Sequence, residues 1–489
     1  VDRRQFLALG ALAALPVAGL AVSCDDGSPR PAQRLNFTNR LRIPPVLAPE
    51  SDGRIGLNMQ AGSAELLAGK TAATWGFNGS YLGPTIRLRR GEQVRMAVTN
   101  RLPELSTVHW HGIRVPAAMD GGPHQLILPG ETWTPQWTVD QPASTCWYHP
   151  HPHGSTAMHV HKGLAGLLLV DEPGGPELPD RYGENDIPLI LQDKRFTAKG
   201  EFAGDVLTGT FGLLGDTMLV NGTHDPYLEV AHRRVRFRVL NASNARMYHL
   251  VFADNRRFQV IATDAGLLPA PVEVGTVALT PGERVEIVVE FAAGESAILR
   301  SQAREHGMDL NDDYGIDKGD FDILRITAAA RLTDGPPVPA RLSPVGPVQV
   351  PSGAPVRRFT LNGSGSINGR EMDPSRIDEV IPAGAKEIWE VRNPGFAHNF
   401  HIHEVAFTVL DGGGEPTYGG RKDTVFVPPG KTVRLAVEFG RHTDPRAPYM
   451  FHCHILRHED NGMMGQFLIV EPGTENSVSR HIPGPAHGH

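Results

Sequence analysis

Four short histidine motifs mark this 489-residue chain: His109-Trp110-His111, His149-Pro150-His151, His398-Asn399-Phe400-His401-Ile402-His403 and His452-Cys453-His454. Imidazole is the common ligand for transition metals, and 22 His against 3 Cys is a composition far too poor in thiols for a disulfide scaffold. A single histidine is ordinarily a hydrogen-bonded core or surface residue; paired motifs at equivalent places in the chain are a different signal. In an extended strand the side chains at i and i+2 share a side. His452 and His454 therefore face one way and Cys453 the other, so one strand can serve two metal sites. Cys453 with His398, His458 and Met463 supplies a thiolate, two imidazoles and a thioether. Trigonal His₂Cys with a weak axial Met is the blue-copper arrangement.

The elements that must position these residues recur three times. Each copy has an Asn-Gly turn, an alternating strand ending in Asn, a Pro-Gly turn and a second alternating strand. The first runs Asn78-Gly79, 93–100, Pro129-Gly130 and 132–139. The second runs Asn221-Gly222, 234–241, Pro281-Gly282 and 284–291, and the third Asn368-Gly369, 386–393, Pro429-Gly430 and 432–439. Alternation such as Val235, Phe237, Val239 against Arg234, Arg236, Arg238 predicts half-buried strands, and hence β-sandwich packing. Related apolar strands, 166–170 and 466–470, close the first and third copies before Glu-Pro. The Pro-rich stretch 334–355 and the segment 171–188 read as linkers. The second copy carries no His-x-His pair.

The four motifs in this order, with His-Cys-His-x₃-His-x₄-Met, resemble the multicopper oxidases, particularly the bacterial laccase and copper-efflux type with three cupredoxin domains. The resemblance spans nearly all of the chain after its first residues. It implies an all-β fold of three consecutive cupredoxin-like Greek-key sandwiches: 35–173 with cluster ligands, 180–333 without copper ligands, and 356–473 with the rest. It implies four copper ions. His398, Cys453, His458 and axial Met463 match the mononuclear type 1 ligands, and His109 with His401 the type 2 pair. His111, His149 and His454 match one type 3 set; His151, His403 and His452 match the other. The middle domain is then a spacer. The implied reaction oxidises a small substrate, phenolic or a cuprous or ferrous ion, one electron at a time and reduces dioxygen to water. Glu459 and Asp120 match acidic residues that feed protons to the cluster in similar enzymes, with a purely hydrogen-bonding role as the alternative.

The match has departures. Asn399 stands where the family usually has Pro after the first His of the third motif; Asn can hydrogen-bond to backbone where Pro would rigidify the loop. The Met-rich insertion of the copper-efflux type is missing, the early third domain having only Met372, which favours a broader laccase-like substrate range. Met158, His159 and His161 are either an extra copper site or a solvated turn. Cys146, without a disulfide partner, is expected to be a buried small hydrophobe.

Composition bounds the rest. A net charge of -7 with no basic stripe excludes nucleic acid as an expected partner, and 54 Gly with 41 Pro spread along the chain suit a turn-rich β protein. Arg3-Arg4-Gln5-Phe6-Leu7 and the apolar run to Val22, short for a membrane span and interrupted by Pro16 and Gly19, resemble a twin-arginine export signal, the alternative being a permanent membrane span. Cys24 after Ala21-Val22-Ser23 resembles a lipoprotein processing site, the alternative being a plain peptidase site. An exported protein, periplasmic or at the cell surface, follows, with residues 1–34 as the signal. Residues 474–489, with His481, His487 and His489, read as a flexible polar tail, the alternative being a metal-scavenging one. Two rivals remain: an exported cupredoxin-like structural or partner-binding protein, and a copper carrier holding only the blue site.

Overall fold

The computed structural model of the chain describes residues 34–204, 211–303, 319–412, 416 and 418–483. Its strands form six sheets, two for each copy of the repeat, so the fold is all-β with three cupredoxin-like sandwiches in succession. The first sandwich faces a sheet containing His109–His111, Ser144–His149 and Gly166–Asp171 with one built on Arg54–Leu67 and Gln93–Arg101. Ile55, Leu57, Val94, Val98, Trp110 and Tyr148 fill the space between them. The middle sandwich packs a seven-stranded against a six-stranded sheet, and Asn39–Arg40 pairs into it beside Pro226–His232. The third sets the sheet of His398–Ile402, Tyr449–His452 and Met464–Val470 against that of Lys386–Arg392 and Thr432–Glu438. Cys453 and Met463 belong to its core.

The Asn that ends the first repeated strand has a job visible only in three dimensions. Asn100, Asn241 and Asn393 each donate Nδ2–H to a carbonyl just before the Pro-Gly turn, on Ile127, Leu279 and Val427, at 2.7–2.9 Å. Each Oδ1 accepts a backbone N–H two residues on. The repeat thus encodes a staple that closes strand end onto turn.

Two expectations about strands change. The second strand of the first copy splits into Thr132–Trp133 and Gln136–Thr138, because Pro135 cannot donate a ladder hydrogen bond. Arg234–Asn241 is buried on both faces instead of half-buried. Arg238 forks onto Asp186 (2.7 and 3.1 Å) and reaches Thr145 Oγ1 of the first sandwich (2.9 Å), while Arg236 pairs with Glu286. The polar side of the alternation is an ion-paired face between sandwiches, which burial tolerates only because each charge is matched.

The segment around Met158 is not a solvated turn, and among the described residues no cluster of ligand atoms includes His159 or His161. It forms the helix Thr156–Lys162, whose first N–H groups are accepted by Asp460 (2.8 and 2.9 Å). His159 is used up by Ser106 Oγ (3.0 Å) and Glu104 (2.8 Å), His161 packs on Phe202, and Met158 packs beside Leu213 and Leu456. The chain after the third sandwich stays attached as far as it is described: Ile482 is buried and its N–H donates to Ser375. Residues 1–33, with Arg3, Arg4 and Cys24, and His487 and His489 lie outside the described residues. Among the described residues no helix is long and apolar enough to cross a membrane.

Candidate metal centre

Pairing of strands brings the motifs together in each outer sandwich. His109 lies opposite His149 in one sheet, and His401 opposite His452 in the other. Regular pairing stops at His452, yet the extended course continues. Cys453 N–H donates to the Met463 carbonyl (3.1 Å), and His454 N–H donates to Asn399 Oδ1 (2.7 Å), a side chain standing in for a strand partner. The expected alternation therefore holds beyond the strand.

On one side of that segment Cys453 Sγ lies 3.5 Å from Nδ1 of both His398 and His458, and those two nitrogens are 3.0 Å apart. Met463 is fully buried in the same core and its N–H donates to the His458 carbonyl. On the other side three all-histidine groups of ligand atoms gather between the first and third sandwiches: His109 with His401 and His403, His111 with His149 and His454, and His151 with His403 and His452; Asp423 forms a fourth group with His111 and His401. His109 stacks on His403 and His111 on His401, both at 3.8 Å between ring centres. The structure thus brings together every histidine singled out in the four motifs, with His458.

The carboxylates lie behind the rings. Asp120 Oδ2 accepts from His403 Nδ1 (2.7 Å), and its carbonyl takes His109 Nδ1–H (2.9 Å). This loop runs so close to the first motif that a Cβ on Gly121, at φ +83°, would lie 1.7 Å from the Val108 carbonyl oxygen. Glu459 sits 3.4 Å from His151 Nδ1 and 3.3 Å from His452 Nδ1. One residue at the site gave no signal in the sequence. Asp423, one acid among 54 Asp and Glu, stands 3.1 Å from His111 Nε2, and its carbonyl accepts His401 Nδ1–H at 2.8 Å. Cys146 is buried as expected, with its S–H toward the Gly112 carbonyl.

The donors fit copper. Nε2 of His109 and His401 and both nitrogens of His454 are buried without a hydrogen-bond partner, which is costly for a polar atom unless a metal takes its lone pair. Two imidazoles with a thiolate and a nearby thioether are the soft set that copper favours. Burial, with neighbouring imidazoles, holds His111, His149, His151, His401, His403 and His454 well below the usual histidine range. It lowers His452 to about 3 and His398 to about 2. Burial likewise pushes the Cys453 thiol up to about 12, so taking up a metal there must release its proton.

Known proteins resemble the chain along most of its length. Three family models described as multicopper oxidase match residues 58–175, 192–306 and 343–473. The chain belongs to the multicopper oxidase family. It is 36% identical to multicopper oxidase mco of Staphylococcus aureus over 445 residues, 88% of this chain and 93% of that one. It is equally 36% identical to the cell division protein FtsP of Xenorhabdus nematophila over 491 residues, 96% and 99% of the two chains. Among solved structures, a laccase-like multicopper oxidase CueO from Ochrobactrum sp. shares 37% identity at a TM-score of 0.79, covering 88% of this chain and all of that one. A multicopper oxidase from Pediococcus acidilactici superposes with a TM-score of 0.82 at 34% identity, covering 94% and 97%. With its His/Cys clusters, this multicopper oxidase is a copper-dependent oxidoreductase that uses dioxygen as acceptor.

The suppressed histidine basicity has a measurable cost in acid. The unfolded chain protonates these imidazoles near pH 6.5 while the fold keeps them neutral. Stability of the chelator-treated protein is therefore complete above about pH 6.5 and falls below it, by about 1.4 kcal/mol per pH unit for each independently titrating histidine. Its thermal midpoint should drop steeply between about pH 6.5 and about pH 4.5, and the copper-loaded protein's less, since bound metal competes with protons. Parallel, flat midpoints in both forms would contradict this.

Proposed function

We propose that the chain holds four copper ions and couples one-electron oxidation of a small reducing substrate to the four-electron reduction of dioxygen to water. The observation that carries this is the position of Cys453: it belongs to one donor set, while its bonded neighbours His452 and His454 belong to others. His398, Cys453 and His458, with Met463 beside them, would hold the type 1 ion. His109 and His401 would hold the type 2 ion, His111, His149 and His454 one type 3 ion, and His151, His403 and His452 the other. Bound copper supplies one-electron redox chemistry, and four ions match the four electrons dioxygen needs. The chain's own contributions are a covalent link between donor sets, exclusion of bulk water around buried imidazoles, and protons, for which we propose Glu459 and Asp120.

The electron donor is read from the edge of the Cys453 site. Residues 394–396 leading into His398 are exposed, and Phe396 offers an aromatic face to solvent. Met372 is buried in a cluster with Met450 and Met464 and is not exposed at that edge. These features favour a phenolic, laccase-like substrate over a dedicated cuprous one. The Ochrobactrum relative is described as an oxidase of lignin model compounds and lignosulfonate, and a Campylobacter jejuni relative, 25% identical, as a metallo-oxidase. Export through the twin-arginine machinery, with Cys24 as a lipid anchor, is carried by the sequence pattern alone.

The FtsP relatives raise a partner-binding role, and a copper carrier is the other rival. Neither needs the three donor groups between the outer sandwiches, which favours the oxidase. The test is dioxygen uptake by copper-loaded protein with cuprous ion, ferrous ion or a phenol, compared as kcat/KM ratios. The phenol should give the highest ratio. A higher ratio for either metal ion would overturn the substrate reading, and no uptake with any reductant the oxidase itself.

A further inference from the structure

The middle sandwich, which lends no ligand among its described residues, reaches the metal centre through one turn. Asn399 Nδ2 donates to the Pro281 carbonyl (2.7 Å) while its Oδ1 takes the His454 N–H. Gly282, at φ +86°, lies so close to the His454 ring that a Cβ would sit 3.0 Å from it. Two residues on, Arg284 is fully buried and forks onto Asp423, with Nη1–Oδ1 and Nη2–Oδ2 both 2.7 Å. Its Nε–H donates to the Thr145 carbonyl of the first sandwich (2.9 Å), and Nη2 also donates to the Asp264 carbonyl (3.0 Å). One guanidinium therefore ties all three sandwiches at Asp423.

Asp423 decides which nitrogen two ligands present. His111 Nε2 faces the carboxylate, so its N–H belongs there, and Nδ1, 3.4 Å from His149 Nε2, keeps the lone pair. His401 donates Nδ1–H to the Asp423 carbonyl, which leaves Nε2 as the free donor atom. Thr424 Oγ1 also donates to Asp423 Oδ1 (2.9 Å).

Resting on the copper assignment above, we propose that Arg284 is a positioning residue for the clustered site, acting through Asp423 on one histidine from each outer sandwich. The middle domain is then a working part of the centre and no mere spacer. Arg284→Lys keeps the charge and loses the fork, which a lysine cannot reproduce. In the copper-loaded variant the blue absorption should stay, because Arg284 does not touch the Cys453 set. The electron paramagnetic resonance signal of the type 2 ion should shift or disappear. kcat should fall roughly 10–100-fold with KM for the reducing substrate unchanged, the scale expected for partners of metal ligands. A wild-type resonance signal with only a lower thermal midpoint would reduce Arg284 to a structural clamp and overturn the proposal. Should the lysine variant fail to fold, Asp423→Asn carries the same spectroscopic test, and an unchanged signal there overturns it equally. Wild-type protein without a type 2 signal would instead sink the copper assignment.

Discussion

Cys453→Ser should abolish the blue colour of the copper-loaded protein and reduce substrate oxidation to under roughly 1% of wild type. Losing a partner of a metal ligand costs ~10–100-fold, and here a ligand itself is removed, one that also carries the electron. The intense absorption arises from thiolate-to-copper charge transfer, which a hydroxyl cannot supply, and oxygen is a poor match for a site built on soft sulfur. The change is nearly isosteric. Asn399 Oδ1, 3.5 Å from Sγ, offers the new hydroxyl an acceptor, so stability should fall by no more than about 1–3 kcal/mol. The histidines between the outer sandwiches are untouched, so the signal of the type 2 ion should persist. A colourless, inactive protein that keeps this signal isolates the loss to the Cys453 set. Full activity in the serine variant would refute the assignment of that set.

How much of this was legible in the chain depended on the range of the interaction. Period-two alternation and recurrent turns announced the sandwiches because strand geometry writes its faces directly into sequence. The motifs announced the centre because i and i+2 spacing is local: His452, Cys453 and His454 need no partner to declare which way they face. Arg236 and Arg238 misled for the complementary reason. Their alternation is the same whether the polar face meets water or a matched set of acids, and only Asp186 and Glu286, distant in sequence, decide between the two. Asp423 and Arg284 were invisible for that reason too: 139 residues separate them, and neither lies in a motif. The surroundings of Asn399 were half legible. A side chain able to bond backbone was expected, but its partners, His454 N–H and the Pro281 carbonyl, belong to different sandwiches.

Glu459→Gln separates proton supply from ligand support. Burial, with Asp460 adding to it, holds the Glu459 carboxyl well above the usual carboxylate range, so the group keeps a proton where an exposed glutamate has lost it. It lies behind His151 and His452, close enough to the cluster to hand that proton inward. Asp460 beside it, pushed by burial up to about 7, is fixed by the Thr156 and Ala157 N–H groups. Glutamine keeps the shape and has no proton to give. kcat should fall about 10²-fold, at the low end of what a positioned acid contributes, with copper content and KM for the reducing substrate unchanged. The sign with pH follows. An acid that must be protonated loses effect as pH rises through its raised pKa, so wild-type kcat should decline on the alkaline side. In the variant, protons come from bulk water and the decline should begin at lower pH. Asp120→Asn should behave differently. Its Oδ2 accepts from His403 Nδ1 at 2.7 Å, and an amide turned the wrong way would set two donors against each other, so copper content should fall along with rate. If Glu459→Gln also lost copper and kept the wild-type pH profile, Glu459 would support a ligand instead of supplying protons, and the proton would have to enter elsewhere.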